Sequence, residues 1–314
     1  MMSSGLDSDA LIALRRLRRH LTFWRVLALV GFALALFVTF KDNYVLHNED
    51  HVARVSVEGV IVKDSYFLDM LDEIAKDKTA KAVVVEITSP GGTFTGGEAM
   101  YTALRRIAAE KPVVAVMGGI ATSGAYMTAI AADRIYAGNG TITASIGVIM
   151  QSADVTGLLG KIGVKPEIIK SGAVKASPNP TEPLSEAARG QLQGIIDALH
   201  LQFMKMVAER RHLSVADVRE RTGDGRIMLG PMALKAGLID AIGDVNSART
   251  WLAAERGISA ELPVFDWEPE DPTPWWRQDA QSMASALFGN SLLSERLTLD
   301  GIQALWHPSI SGER

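Results

Sequence analysis

Ala82-Val83-Val84-Val85-Glu86-Ile87-Thr88-Ser89-Pro90-Gly91-Gly92 opens with an apolar run of strand length and stops on a turn-forming tetrapeptide. A run apolar on both faces belongs to a strand covered on both sides, the habit of parallel sheets. Downstream, Gly97 to Ala109 has helical spacing, and Pro112 introduces a second such run, Val113-Val-Ala-Val-Met117. Upstream, His51-Val52-Ala53-Arg54-Val55-Ser56-Val57 alternates as a strand that ends at Gly59. Ser65 to Lys76 places Phe67, Leu68, Leu71 and Ile74 on one helical face. Strand, helix, strand, helix, strand predicts an α/β fold with right-handed parallel crossovers.

Further along, Gly118-Gly119 marks a turn and Ser123 to Ala132 reads as a small-residue helix. Short strands are predicted at Arg134–Ala137, Ile146–Met150 and Glu167–Ile169. Leu184 to Arg211 is a long amphipathic helix, and smaller ones cover 214–221, 231–236 and 246–256. Glu268-Pro-Glu-Asp-Pro-Thr-Pro274 is a stiff linker to a tail with scattered Leu, Phe and Trp. The organisation expected is therefore a basic N-terminus at 1–22, an anchor at 23–40, a linker at 41–51, a main domain at 52–267 and a tail at 268–314.

The anchor rests on Val26 to Phe40, uncharged and almost wholly apolar, with Phe23 and Trp24 before it. Together they approach the roughly 20 residues that cross a bilayer. A cleaved signal peptide is the rival, with Ala33-Leu34-Ala35 as its cleavage tripeptide, but apolar residues continue past it. Arg15, Arg16, Arg18, Arg19 and Arg25 lie on the N-terminal side, so the positive-inside rule keeps that end cytoplasmic. The body is then extracytoplasmic, periplasmic at a bacterial-type inner membrane.

The 314 residues carry 32 basic and 36 acidic side chains, a net charge of -4, and no cysteine. With the arginines gathered at the N-terminus, the body is acidic, which argues against nucleic acid as a partner. The missing cysteines exclude disulfides, thiolate metal sites and a thiol nucleophile. Covalent catalysis is left to Ser, Thr, Lys or a carboxylate.

Three segments could carry chemistry. Ser123, in Gly118-Gly-Ile-Ala-Thr-Ser-Gly-Ala-Tyr126, follows a buried strand at the start of a helix. It reads either as a helix cap or as a nucleophile turned out of a tight turn. Ser89-Pro-Gly-Gly92 is either a plain turn or a set of backbone N–H groups able to hold an oxyanion. Lys175 lies in Lys170-Ser-Gly-Ala-Val-Lys-Ala-Ser-Pro-Asn-Pro180, with no Asp or Glu from Ile168 to Thr181. A lysine serves as a base only when neutral, so the lack of local carboxylates suits that role. Lys161, Lys165 and Lys170 compete for it, and a solvated loop lysine is the plainer reading.

Taken in order, Ser-Pro-Gly-Gly, the Ser-Gly of the Gly/Ala-rich loop, Thr143-Ala-Ser-Ile-Gly-Val-Ile149 and Lys-Ser-Gly-x-x-Lys resemble the signal peptide peptidase A family. Gly225 to Gly243 is similar to that family's closing segment, so the likeness covers about 52–250. It implies the Clp protease and crotonase-like α/β fold of repeated β-β-α units, here preceded by one transmembrane helix. It implies a serine endopeptidase with Ser123 as nucleophile, Lys175 as general base and Ser145 orienting the lysine. Gly92, with Gly124 as a second donor, would form the oxyanion hole. No metal and no cofactor is implied. The implied substrates are hydrophobic peptides such as remnant signal peptides, cut by a ring-like homo-oligomer at the membrane. One catalytic unit is present, as in the family's short form. The loop has Gly124-Ala125 after Ser123, where relatives often carry another glycine.

Other readings fare worse. None of the six histidines sits in a strand-end or glycine loop, which removes a Ser-His-Asp triad. His47-Asn-Glu-Asp-His51 has metal-pair spacing, but reads as a solvated linker. No serine is followed three residues later by lysine, and no Gly-x-Gly-x-x-Gly occurs. The same fold also hosts acyl-CoA chemistry, and a scaffold without activity would keep its core; a serine-directed label distinguishes both from a peptidase.

Overall fold

The computed structural model describes residues 18–32, residues 49–269 and the backbone of residues 302–305. The chain divides into two compact units, 1–49 and 50–314. In the first, residues 18–32 form helix α1, whose Phe23, Trp24, Leu29 and Phe32 are exposed. Among the described residues no helix is long and apolar enough to cross a membrane. The rest of the expected anchor, 33–40, lies outside them.

The second unit is built on three parallel strands: β1 (His51–Ile61), β2 (Ala80–Thr93) and β3 (Val113–Thr122). Between them run α2 (Ser65–Lys76) and α3 (Phe94–Glu110). Alternate residues of β2 feed two different cores. Val83, Val85 and Ile87 pack with Leu71, Leu104 and Ile107 of the helices. Ala82 and Val84 pack on the opposite face with Ala248 and Leu252 of α9 (Val245–Arg256). Cover on both faces is why the strand is apolar throughout.

After β3 come α4 (Gly124–Ala129), β4 (Arg134–Ala137), β5 (Ile142–Ala144), β6 (Ile149–Met150) and α5 (Thr156–Lys161). The long α6 (Glu186–Arg211) is capped by Ser185, and α7 (Val215–Thr222) opens with a Ser214–Asp217 capping box. Strand β7 (Ile227–Leu229), α8 (Gly230–Lys235), β8 (Ala241–Ile242), β9 (Val264–Trp267) and β10 (Ile302–Leu305) complete the described elements. β4 and β8 extend the sheet beyond β3, while β9 pairs parallel with β1.

The long helix and the strands Arg134–Ala137 and Val113–Met117 stand where the periodicity placed them, the last running on to Thr122. Four expectations are corrected. β1 does not end at Gly59, at φ +66, but continues to Ile61; the register shifts there because Ser89 and Pro90 of β2 stand opposite Gly59 alone. Ser89–Gly92 is not a closing turn, because β2 runs through it to Thr93. The predicted strand Glu167–Ile169 is absent; Ile168 and Ile169 are exposed and no neighbouring strand pairs with them. Of Ile146–Met150 only the last two residues are strand. Within the expected tail, residues 302–305 form β10 of the main sheet.

Candidate active site

Ser123 follows the last residue of β3 and precedes α4, with φ 54 and ψ −116, and it is 1% exposed. Its side chain makes no capping bond to α4. A buried, non-capping serine in a left-handed conformation is costly, which disfavours the cap reading and favours a functional one. The backbone is held from several sides. Ser123 N donates to Ala144 O at 2.8 Å, and Met127 N donates back to Ser123 O at 2.9 Å. Thr122 Oγ1 donates to Pro90 O at 3.0 Å, and Thr143 Oγ1 to Ala121 O at 2.7 Å. Both threonines are fully buried. They tie the ends of β2, β3 and β5 together around the serine.

Ser145 follows the β3–β5 pairing of Thr122 with Ala144, so both serines leave the same end of one strand pair. It is 8% exposed and, like Ala144, adopts positive φ. Its amide donates to Arg226 O at 2.9 Å. Arg226 in turn is gripped by Asp224, whose carboxyl is pulled down to about 2 chiefly by that guanidinium hydrogen bond.

Gly92 sits inside β2 and is buried. A Cβ there would come within 1.8 Å of Ile61 O, so glycine is demanded by the contact with β1 as well as by any approaching substrate. Gly91, at φ 103, is the residue that needs the left-handed region, and its amide donates to Ser89 Oγ at 3.1 Å. Gly124 is the buried first residue of α4. Gly97 of α3 lets it lie close, since a Cβ on Gly97 would be 3.2 Å from Gly124 Cα. The buried Tyr126 anchors α4 through a 2.7 Å bond from its hydroxyl to Leu238 O, and burial raises its pKa.

Lys175 stands apart. It lies in an exposed turn, its amide bonded to Gly172 O at 3.1 Å, and no hydrogen bond joins it to Ser123 or Ser145 among the described residues. The competing Lys170 is engaged by Glu182, just beyond the carboxylate-free stretch. The structure thus gathers Ser123, Ser145, Gly92 and Gly124 and leaves Lys175 on the surface. The threonine clamp, the Arg226 carbonyl and Gly97 were missed in the sequence, though Thr143 stands two residues before Ser145 in a motif already singled out. Among the described residues no group of three or more His, Asp or Glu could hold a metal.

Comparison with known proteins places these residues in a family. The model described as Peptidase family S49 matches residues 105–259, a span containing both Ser123 and Lys175, and the Clp protease model matches 59–150. A Synechocystis sp. protein provisionally named a protease is 36% identical over 78% of this chain and 89% of its own. One from Methanocaldococcus jannaschii with the same provisional name is 32% identical over 74% and 80%. An Enterococcus faecium protein provisionally named signal peptide peptidase SppA is 30% identical over 77% and 71%. A solved structure of a membrane-bound stomatin-specific protease superposes with TM-score 0.46 at 16% identity, covering 71% of this chain and 99% of its own. The acyl-CoA reading is set aside by these matches. The chain belongs to peptidase family S49 and is a serine protease with a Clp protease-like α/β fold.

Proposed function

We propose that the protein is a membrane-anchored endopeptidase in which Ser123 attacks the peptide carbonyl and Lys175 takes its proton. Ser145 orients the lysine, and the amides of Gly92 and Gly124 hold the oxyanion. Water then releases the acyl group, the lysine having protonated the leaving amine. The observation that carries this reading is the buried Ser123, held at φ 54 without capping its helix.

The exposure of Lys175 sets a condition on the mechanism. A lysine works as a base when its amine is desolvated or crowded by positive charge. The turn at Lys175 therefore has to be covered, and in a ring-like homo-oligomer a neighbouring copy supplies that cover. The exposed Leu158, Ile162, Val164 and Ile169, in the segment before that turn, offer apolar surface for it.

Residues 23–40 act as the anchor, supported by the exposed aromatic and aliphatic side chains of α1 and by the arginines before it. The catalytic unit then lies on the extracytoplasmic side of a bacterial-type inner membrane. Its substrates are hydrophobic peptides such as remnant signal peptides. The test combines a fluorophosphonate label with purified variants. Wild type should label at Ser123, and Ser123→Ala and Lys175→Ala should each lose peptide cleavage. Retained cleavage in either folded variant refutes the dyad.

A further inference from the structure

The pairing of β10 is unused by the catalytic reading. This strand runs antiparallel to the end of β2, with Gln303 opposite Thr93, Ala304 opposite Gly92 and Leu305 opposite Gly91. On its other edge it pairs antiparallel with β6, Ile302 opposite Met150 and Gln303 opposite Ile149. Among the described residues β6 joins the sheet only through β10. Without β10, Gly91–Thr93 and Ile149–Met150 would face each other across a gap one strand wide, on the order of 10 Å from ladder to ladder. Two facing strand edges with free backbone groups make a slot for an extended peptide, whatever its sequence. The register puts the occupant's Ala304 beside Gly92, and β2 there is tied by Pro90 to Thr122, the neighbour of Ser123.

We propose that residues 302–305 are a built-in pseudosubstrate, which fills the peptide slot beside Ser123 and has to be displaced before another peptide can bind. The proposal rests on the reading of Ser123 and Gly92 given above. A strand of four residues is too short to bind firmly from solution, which keeps it displaceable. Its attachment to the same chain raises its effective concentration into the millimolar range, on the order of that given by a short flexible tether, so weak pairing still holds the slot. Displacement by substrate makes the inhibition competitive: KM is raised and kcat is left alone.

The test uses the full chain. Proline lacks the N–H that a ladder needs, so Gln303→Pro and Ala304→Pro expel the strand, while Ser311→Pro, beyond the strand, serves as control. With a short fluorogenic peptide, both strand variants should show KM lowered about tenfold at unchanged kcat, as loss of a tethered competitor requires. Fluorophosphonate should label Ser123 correspondingly faster, and a synthetic peptide of residues 299–308 should restore competitive inhibition only at about millimolar concentration, that of the tethered strand. Equal KM and equal labelling in wild type and both strand variants, all active, overturns the pseudosubstrate and leaves the nucleophile standing. Absence of label at Ser123 in every folded variant overturns both. A wild-type labelling rate that rises on dilution assigns the strand to a neighbouring copy and overturns its action within one chain.

Discussion

The amide of Ser123 donates to the carbonyl of Ala144 at 2.8 Å, linking two residues that both sit at positive φ. Each lies at or next to the end of its strand, and each strand end is braced by a buried threonine hydroxyl. Strain at Ser123 is thus imposed by its surroundings, which over-determine the turn.

Replacing Ser123 with glycine should relieve that strain. A non-glycine residue in such a region costs about 1–3 kcal/mol. Recovering about 1 kcal/mol raises the melting temperature of a domain this size by roughly 2–4 °C. Ser123→Gly should therefore melt higher by calorimetry while peptide hydrolysis falls to background. A lower melting temperature would show that the turn is not strained.

Gly92 and Gly97 should respond differently to alanine. At Gly92 the added Cβ meets backbone, Ile61 O at 1.8 Å, which cannot yield without parting β1 from β2. Gly92→Ala should lose folded protein outright, measured as soluble yield and melting. At Gly97 the nearest contacts are 3.2 Å, to Gly124 and to Met127 Sδ. Gly97→Ala should stay folded, displace α4 slightly and lower kcat about tenfold or more, the scale by which small misplacements act. Full activity in Gly97→Ala would mean that α3 does not position the nucleophile.

The strands and helices were legible because burial writes its period into the sequence. Val83 to Ile87 could only be a doubly covered strand, and Leu192 to Val207 only a helix face. Boundaries misled where glycine broke the pattern without ending the strand. Gly59 and Gly91 border a register shift between β1 and β2, and only the strand pairing tells such a shift from a turn. Ser123 and Ser145 were found through ordered motifs, since each residue alone could be bland. The exposed Lys175 agrees with the plainer, solvated-loop reading of its segment, whereas the pairing of β10 was not readable, because it depends on contacts between distant parts of the chain.

Acid titration provides a local probe of the Ser145 support. The Asp224 carboxyl sits at about 2, held down by the Arg226 hydrogen bond. Its folded value lies below the ordinary value near 4. The contribution is therefore complete above about pH 4 and is lost as pH falls through about 2. Carboxyl-carbon NMR should place the midpoint near 2 in wild type and back near the ordinary value in Arg226→Ala. Both groups are solvent-exposed, so Asp224→Asn should barely change the melting temperature at neutral pH. An unshifted Asp224 in the wild type would remove this prop.

Tyr126→Phe separates anchoring from catalysis. The variant deletes the buried hydroxyl that bonds Leu238 O, at a cost of about 1–3 kcal/mol for the acceptor left unpaired. Melting should drop by several degrees, while kcat at 25 °C stays within about twofold, since the α4 backbone keeps its own bonds. A collapse of kcat in protein that is still folded would give Tyr126 a part in the chemistry.

The two lysines of the 170–175 segment make the sharpest contrast. Lys170 is half-buried against Glu182, whereas Lys175 forms no ion pair among the described residues. Lys170→Ala removes a structural tie and should cost about 1 kcal/mol with little change in kcat. Lys175→Ala removes the proposed base and should lower kcat about a thousandfold or more, the scale on which losing a catalytic base acts. Lys175→Arg should be equally inactive, because a guanidinium keeps its charge and cannot accept a proton. Steady-state kinetics on the three variants, each checked for fold by circular dichroism, decides the assignment. If Lys170→Ala were the dead variant and Lys175→Ala the active one, the base would have to be reassigned five residues upstream.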